Sequence, residues 1–309
     1  MTPEELGAEL GMEVHALVRL SGGASRQTWA FEGDGRPLVI QCQRPGGLAS
    51  GIAMDVEAQL VALAGRTGVP VARFVSSGDA ECSLGTSYLV TQRVDGETIP
   101  RKLLRDDAFA AVRGGLAYQA GAALAAVHEI PVAEMEGRLA EEDQLTQFRG
   151  LLASFEEPHP AFELGVRWLE RHRPPAAPRR IVHGDFRNGN LIVGPDGLRA
   201  VLDWELAHIG DPHEDLGWFC VRAWRFGSPH RAGGFGPIED LLAGYRDRSG
   251  VEVDPDVVRW WEAMGTLRWG VICMVQAATH LGGASRSVEL AAIGRRTAEC
   301  EWDLLELIA

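Results

Sequence analysis

The chain has 309 residues, 46% of them hydrophobic and 24% charged, the values of a folded globular protein long enough for two lobes. Thirty basic against 43 acidic residues leave a formal net charge of −13, which argues against a general binder of nucleic acid or anionic membrane. No apolar run reaches the roughly 18 residues that cross a bilayer, and the acidic first turn lacks the layout of a secretion signal, so a soluble cytoplasmic protein is expected.

Thr2-Pro3-Glu4-Glu5 places a capping hydroxyl, a proline and two acids where a helix should begin. Residues 16–20, 27–32 and 37–41 then read as strands of a small antiparallel sheet, with Gly33-Asp34-Gly35 as a turn. Residues 55–64 carry a helical apolar period, and 69–75 and 87–94 read as two further strands. From about Asp106 the texture turns helical, with candidates at 108–128, 162–172, 238–247, 256–280 and 288–307. The acidic stretch 134–143 reads as a solvated face or loop. A strand-and-turn island lies within this half, between Pro174 and His213. The expected architecture is α+β, with a sheet-rich N-terminal lobe over 1–94 and a mainly helical C-terminal lobe over 95–309.

Cysteines 42, 82, 220, 273 and 300 are scattered and form no Cys-x-x-Cys pair, so neither a zinc knuckle nor a disulfide framework is indicated. Of the 30 basic residues, only Lys102 is a lysine.

The densest polar cluster is in the island. His183-Gly184-Asp185 is followed by Asn190, an apolar run over 191–193, the turn Gly194-Pro195-Asp196-Gly197, a second run over 199–202, and Asp203-Trp204-Glu205. With a loop at 195–198, Asn190 would stand opposite Asp203 at the open end of a hairpin. A carboxylate and an amide oxygen placed so suit Mg²⁺, which takes its other ligands from water and phosphate. Asp and Asn are common turn formers, and one alone would carry little. All three at this spacing, behind His183-Gly184, carry a functional reading, with His183 as a hydrogen-bonding brace.

This pattern resembles the signature of the aminoglycoside phosphotransferase and choline kinase family, which is related in fold to protein kinases. Gly210-Asp211-Pro212 and Asp215-Leu216 resemble the branch that includes kinase-like domains fused to acyl-CoA dehydrogenases. The resemblance implies a two-lobed protein-kinase-like fold. It also implies that Asp185 orients or deprotonates an acceptor hydroxyl while Asn190 and Asp203 hold Mg²⁺ on ATP or GTP. Phosphoryl transfer asks the protein mainly for positioning and charge neutralisation, which these residue types supply.

Ser21, Gly22, Gly23 and Ser25 lie between two predicted strands, where glycines let backbone N–H groups approach phosphates. No Gly-Lys-Ser/Thr follows, so this is not a Walker loop. The family places a cation on the next strand, where this chain has Gln41. Glu57 matches the acid that pairs with that cation, although an exposed helix acid is an equal reading. Either Gln41 binds phosphate directly, or Arg44 or Arg26 supplies the charge, or nucleotide affinity is low. Residues 88–94 resemble the hinge strand, which would bring backbone groups of Gln92 and Val94 to the base.

Trp218, Arg222, Arg225 and Arg268 belong to two aromatic–arginine clusters in the helical half. Most such residues pack cores or pair with surface acids. As candidates for the acceptor site, they suit an anionic hydroxy acid or its thioester better than a polycationic aminoglycoside. The leading expectation is a Mg²⁺-dependent small-molecule kinase without nucleic-acid or membrane partners. The alternative is a nucleotide-binding module with little or no transfer activity, suggested by Gln41. A metallohydrolase ranks last, because no second histidine stands at ligand spacing.

Overall fold

The computed structural model describes residues 1–20, 26–43 and 51–309. Helix α1 (Pro3–Leu10) starts where the sequence expects it. The Thr2 hydroxyl accepts from the Glu5 amide at 3.2 Å, and the Glu5 carboxylate accepts from the Thr2 amide at 2.7 Å. Five antiparallel strands follow: β1 (Val14–Arg19), β2 (Arg26–Gly33), β3 (Arg36–Gln43), β4 (Phe74–Gly78) and β5 (Tyr88–Gln92). Their order in the sheet is β1-β2-β3-β5-β4. Helix α2 (Met54–Arg66) crosses between β3 and β4. The strand expected at 69–75 begins later, at Phe74, because Pro70 has no N–H for a ladder. Its carbonyl instead accepts from Val201 N at 2.7 Å, tying the sheet to the second half of the chain.

Beyond the sheet run α3 (Pro100–Arg105), α4 (Ala110–Arg113), α5 (Leu116–His128), α6 (Gln144–Ala153) and α7 (Pro160–Arg171). Four short strands form two hairpin-like pairs, β6 (Arg180–Val182) with β9 (His208–Gly210) and β7 (Leu191–Gly194) with β8 (Gly197–Val201). The chain ends in α8 (His213–Cys220), α9 (Ile238–Ser249), α10 (Pro255–Leu281), α11 (Val288–Gly294) and α12 (Thr297–Ile308). The single helix expected over 108–128 is broken at Gly114-Gly115, and that over 288–307 is broken between Gly294 and Thr297. Helices α3, α6 and α8 were not foreseen; α6 is capped by Asp143, which accepts from Thr146 N at 2.9 Å.

One apolar core runs from α2 through α5 and the short strands to α8 and α9, and includes Phe186 and Trp204. A second fills the space among α6, α7, α10 and α12. Helices α5 and α9 meet backbone to backbone through glycines. A Cβ on Gly121 would stand 1.9 Å from Leu241 O, and one on Gly244 2.0 Å from Tyr118 O. Among the described residues, no helix is long and apolar enough to cross a membrane.

Candidate active site

Strand β6 delivers the chain into His183-Gly184-Asp185. The turn needs a left-handed residue, and Gly184 supplies it at φ 77°, where a Cβ would meet Leu206 O at 2.2 Å. His183 is fully buried; its Nδ1 accepts from the Asp185 amide at 3.2 Å, so Nε2 carries the proton and donates to Leu202 O at 3.1 Å. Burial pushes its pKa down, in keeping with a neutral brace between the two loops.

Two buried acids hold this turn from beneath. The Asp215 carboxylate accepts from the amides of His183 (2.8 Å) and Gly184 (3.0 Å) and stands 3.1 Å from His128 Nε2. Burial would raise its pKa, but His128 and these backbone donors outweigh it, and the carboxyl stays below its ordinary range. Glu214 lies between His208 Nε2 at 3.0 Å and Arg268 Nη1 at 2.8 Å. Arg268 also donates to Gly184 O at 2.9 Å.

Asp185 is gripped by three side chains. Trp218 Nε1 donates to Oδ1 at 2.9 Å, Asn190 Nδ2 to Oδ2 at 2.7 Å, and Arg187 Nε lies 3.1 and 3.2 Å from the two oxygens. The Arg187 guanidinium stacks over Trp224, 4.9 Å from the ring centre. With its nitrogen turned to Asp185, Asn190 has its amide oxygen as its remaining side-chain polar atom.

The register expected for the hairpin is corrected. The turn is the two-residue Pro195-Asp196, with Gly194 paired to Gly197 and a bulge before Ile192 pairs with Ala200. Leu202 N therefore donates to Asn190 O at 2.8 Å, and Asp203 comes one residue past the pair. It takes a left-handed backbone, φ 66°, rare for a residue with a Cβ. Its carboxyl is pushed up to about 7, first by burial and then by the charges of Glu205 and Asp185, with Arg26 opposing.

Asp203 also lines a cavity of about 300 Å³ between the sheet and the helical half. The structure brings Gln41, Glu57, Gln92 and Val94 to the same cavity, along with Thr28 and the apolar Val39, Leu89 and Ile192. Glu57 is not an exposed helix acid. It is 2% exposed and lies 2.5 Å from Arg26 Nη2. Ser21, Gly22, Gly23, Ser25 and Arg44 lie outside the described residues.

The aromatic–arginine candidates are not gathered in one pocket. Trp218 is buried and serves Asp185, and Arg268 stacks on it at 4.5 Å while paired with Glu214. Arg225 binds Cys220 O and Glu262, and the exposed Arg222 pairs with Asp303 at 3.0 Å. Sequence reasoning passed over Arg187 and Glu214, and named Asp215 only within the branch motif, without a role. Arg187 had a legible signal, two residues after Asp185 inside the motif. The placing of the two acids that open α8 had none, because only the fold brings them under the loop.

A family model described as the phosphotransferase enzyme family, APH, matches residues 16–261. The chain belongs to this family. The chain is 24% identical over 270 residues to acyl-CoA dehydrogenase family member 10 of Mus musculus, covering 82% of this chain and 24% of the mouse protein. It spans about a quarter to a third of the length of the curated relatives it matches. A solved structure of a Ralstonia eutropha JMP134 protein, provisionally assigned as an aminoglycoside phosphotransferase, superposes with a TM-score of 0.78 at 22% identity, covering 99% of this chain and 98% of the other. A spectinomycin phosphotransferase, solved with ADP and spectinomycin, gives 0.68 at 14% identity over 98% and 92% of the two chains. This APH chain therefore has the two-lobed protein-kinase-like fold, a five-stranded antiparallel sheet followed by a mainly helical part.

Proposed function

We propose that this protein moves the γ-phosphoryl group of ATP or GTP to a hydroxyl of a small molecule, with Mg²⁺ as the metal. The observation that carries the reading is Asp185, a half-buried carboxylate fixed by Trp218, Asn190 and Arg187, with a second acid, Asp203, in the wall of the cavity between the sheet and the helical half. Asp185 accepts a hydrogen bond from the acceptor hydroxyl and orients its oxygen toward phosphorus. The new P–O bond forms as the bond to the β-phosphate oxygen breaks, the nucleoside diphosphate leaves, and the hydroxyl proton passes to Asp185.

The residues fit a hard divalent cation. Asn190 offers an amide oxygen as a ligand, and Asp203 is a buried carboxyl among other acids, a charge surplus that a cation relieves. When bound, Mg²⁺ would neutralise charge on the triphosphate and the leaving oxygen. Support for a triphosphate donor comes from the spectinomycin phosphotransferase, which was solved with ADP. The apolar side chains beside Gln92 and Val94 give a base a surface to stack on.

For the acceptor we propose an anionic hydroxy acid or its thioester. Arg187 is the cation bonded to the base, and a polycationic aminoglycoside would meet it with like charge. The curated relatives' name, acyl-CoA dehydrogenase, itself denotes an acyl thioester. The competing reading, a nucleotide-binding module with weak transfer, rests on neutral Gln41 in the cavity wall.

Titration calorimetry of ATP and GTP, with and without Mg²⁺, is the test. Binding that needs Mg²⁺ and weakens in Asp203→Asn supports the kinase reading. Nucleoside diphosphate release should then follow with hydroxy acids or thioesters and not with aminoglycosides. Binding without turnover on any hydroxylated acceptor would favour the module, and no binding of either nucleotide would reject both.

A further inference from the structure

The cleft has an unusual distribution of charge. Strand β3 contributes the neutral Gln41, and the chain's one lysine, Lys102, is half-exposed and paired with Glu97 at 2.8 Å. Yet a cation is buried there. Arg26, at the start of β2, is 5% exposed, with Nη2 2.5 Å from Glu57 and 3.5 Å from Glu205. Its Nε and Nη1 are buried and have no hydrogen-bond partner among the described residues. Buried guanidinium donors in proteins are as a rule completed by protein, water or a ligand.

The sheet register says where those donors lie. Thr28 pairs with Gln41, and Arg26 pairs with Gln43. Alternate residues of a strand share a face, so Arg26 is on the face of Thr28, which lines the cavity. It is the diagonal neighbour of Gln41, about 7–8 Å away between strands and within reach of a long side chain. From there its charge acts on Asp203 across the cleft. Arg26 thus starts on the cavity face of β2 and packs against Glu57, which itself lines the cavity.

We infer that Arg26, reaching from β2, binds the phosphates of the nucleotide donor in place of a cation on β3, with Glu57 holding its guanidinium in the cleft. This rests on the phosphotransferase reading and deepens it. Neutral Gln41 then records a cation moved to the neighbouring strand and not a lost site. A planar guanidinium suits the task, since one edge can face Glu57 while the other donors meet phosphate oxygens.

The test compares calorimetric affinities for Mg·ATP and Mg·GTP with those for adenosine and guanosine, which have no phosphates. Three variants are needed: Arg26→Met, Arg26→Met with Glu57→Gln so that no buried acid is left unpaired, and Arg26→Met with Gln41→Lys. The first two should lose about 10- to 100-fold in triphosphate affinity, as expected for charge-assisted hydrogen bonds, with nucleoside affinity within about twofold of the parent. The third should recover most of the loss, because the cation returns on β3. Unchanged triphosphate affinity in the second variant, or an equal fall for triphosphate and nucleoside, would overturn the inference and leave the phosphotransferase reading intact. A parent protein that binds neither triphosphate would instead sink that reading, and this inference with it.

Discussion

Replacing His208 tests the buried support behind the His183–Asp185 turn. The imidazole is 3% exposed, with Nε2 3.0 Å from Glu214 and Nδ1 3.0 Å from Leu206 O. Burial alone would lower its pKa, but the charge and hydrogen bond of Glu214 prevail and push it up to about 9. A group raised in the folded state contributes stability that is full below its unfolded value and is lost as pH rises through the folded one. From an ordinary value of about 6.5 to about 9, at about 1.4 kcal/mol per pH unit, the contribution is about 3 kcal/mol. In His208→Gln the side chain cannot titrate, and Arg268 still pairs with Glu214 at 2.8 Å, so the fold should survive. Urea denaturation followed by tryptophan fluorescence should place the variant about 3 kcal/mol below the parent near pH 6 and within about 1 kcal/mol of it near pH 9.5. Parallel stability–pH curves for the two proteins would refute a protonated His208 and the ion cluster built on it.

Asp185→Asn should abolish phosphoryl transfer while leaving Mg·ATP affinity within about threefold of the parent, measured by single-turnover assay and calorimetry; retained turnover would remove Asp185 as the base. Trp218→Phe deletes the donor 2.9 Å from Asp185 and keeps most of the packing. Turnover should fall about tenfold with unchanged nucleotide affinity, as for loss of one hydrogen bond to a charged group; equal loss in both would mean a general packing role. Gly121→Ala drives a methyl to within 1.9 Å of Leu241 O in the α5–α9 contact. It should cost about 1–3 kcal/mol in urea denaturation, and no loss would show that the helices can separate freely.

Sheet and helices were legible because apolar periodicity and glycine punctuation are local signals. Errors came where a local signal met a longer-range demand. The run at 69–75 has the composition of a strand, but Pro70 carries an inter-lobe hydrogen bond there instead. The hairpin register slipped because a bulge between Ile192 and Val193 leaves no trace in composition. In the site, Asp185, Asn190 and Asp203 could be named from spacing, since the hairpin between them is a short-range object. Asp215 was named only as part of a motif, Arg268 was named for the acceptor site and not for its pairing with Glu214, and Glu214 was not named, because a buried acid beneath a loop looks like any helix-capping acid until the fold assembles. The Arg26–Glu57 pair lies between these cases. Each residue had been noticed, yet only the burial of both and the 2.5 Å contact joins them.

On the proposed reading, the hydrogen bonds to Asp185 bear on the kind of transition state it serves. A carboxylate has about four lone-pair sites. Trp218 and Asn190 take one each, and the Nε of Arg187 lies against both oxygens. With that shared proton counted once, one site is left for an acceptor hydroxyl. A strong base would be required if the acceptor had to become an alkoxide before attack. In a loose transition state the bond to the leaving oxygen is largely broken before the nucleophile commits, so the proton can move late. The grip on Asp185 therefore fixes the direction in which it presents that site. The buried pairs Asp215–His128 and Glu214–Arg268, which fix the loop from below, serve that same demand.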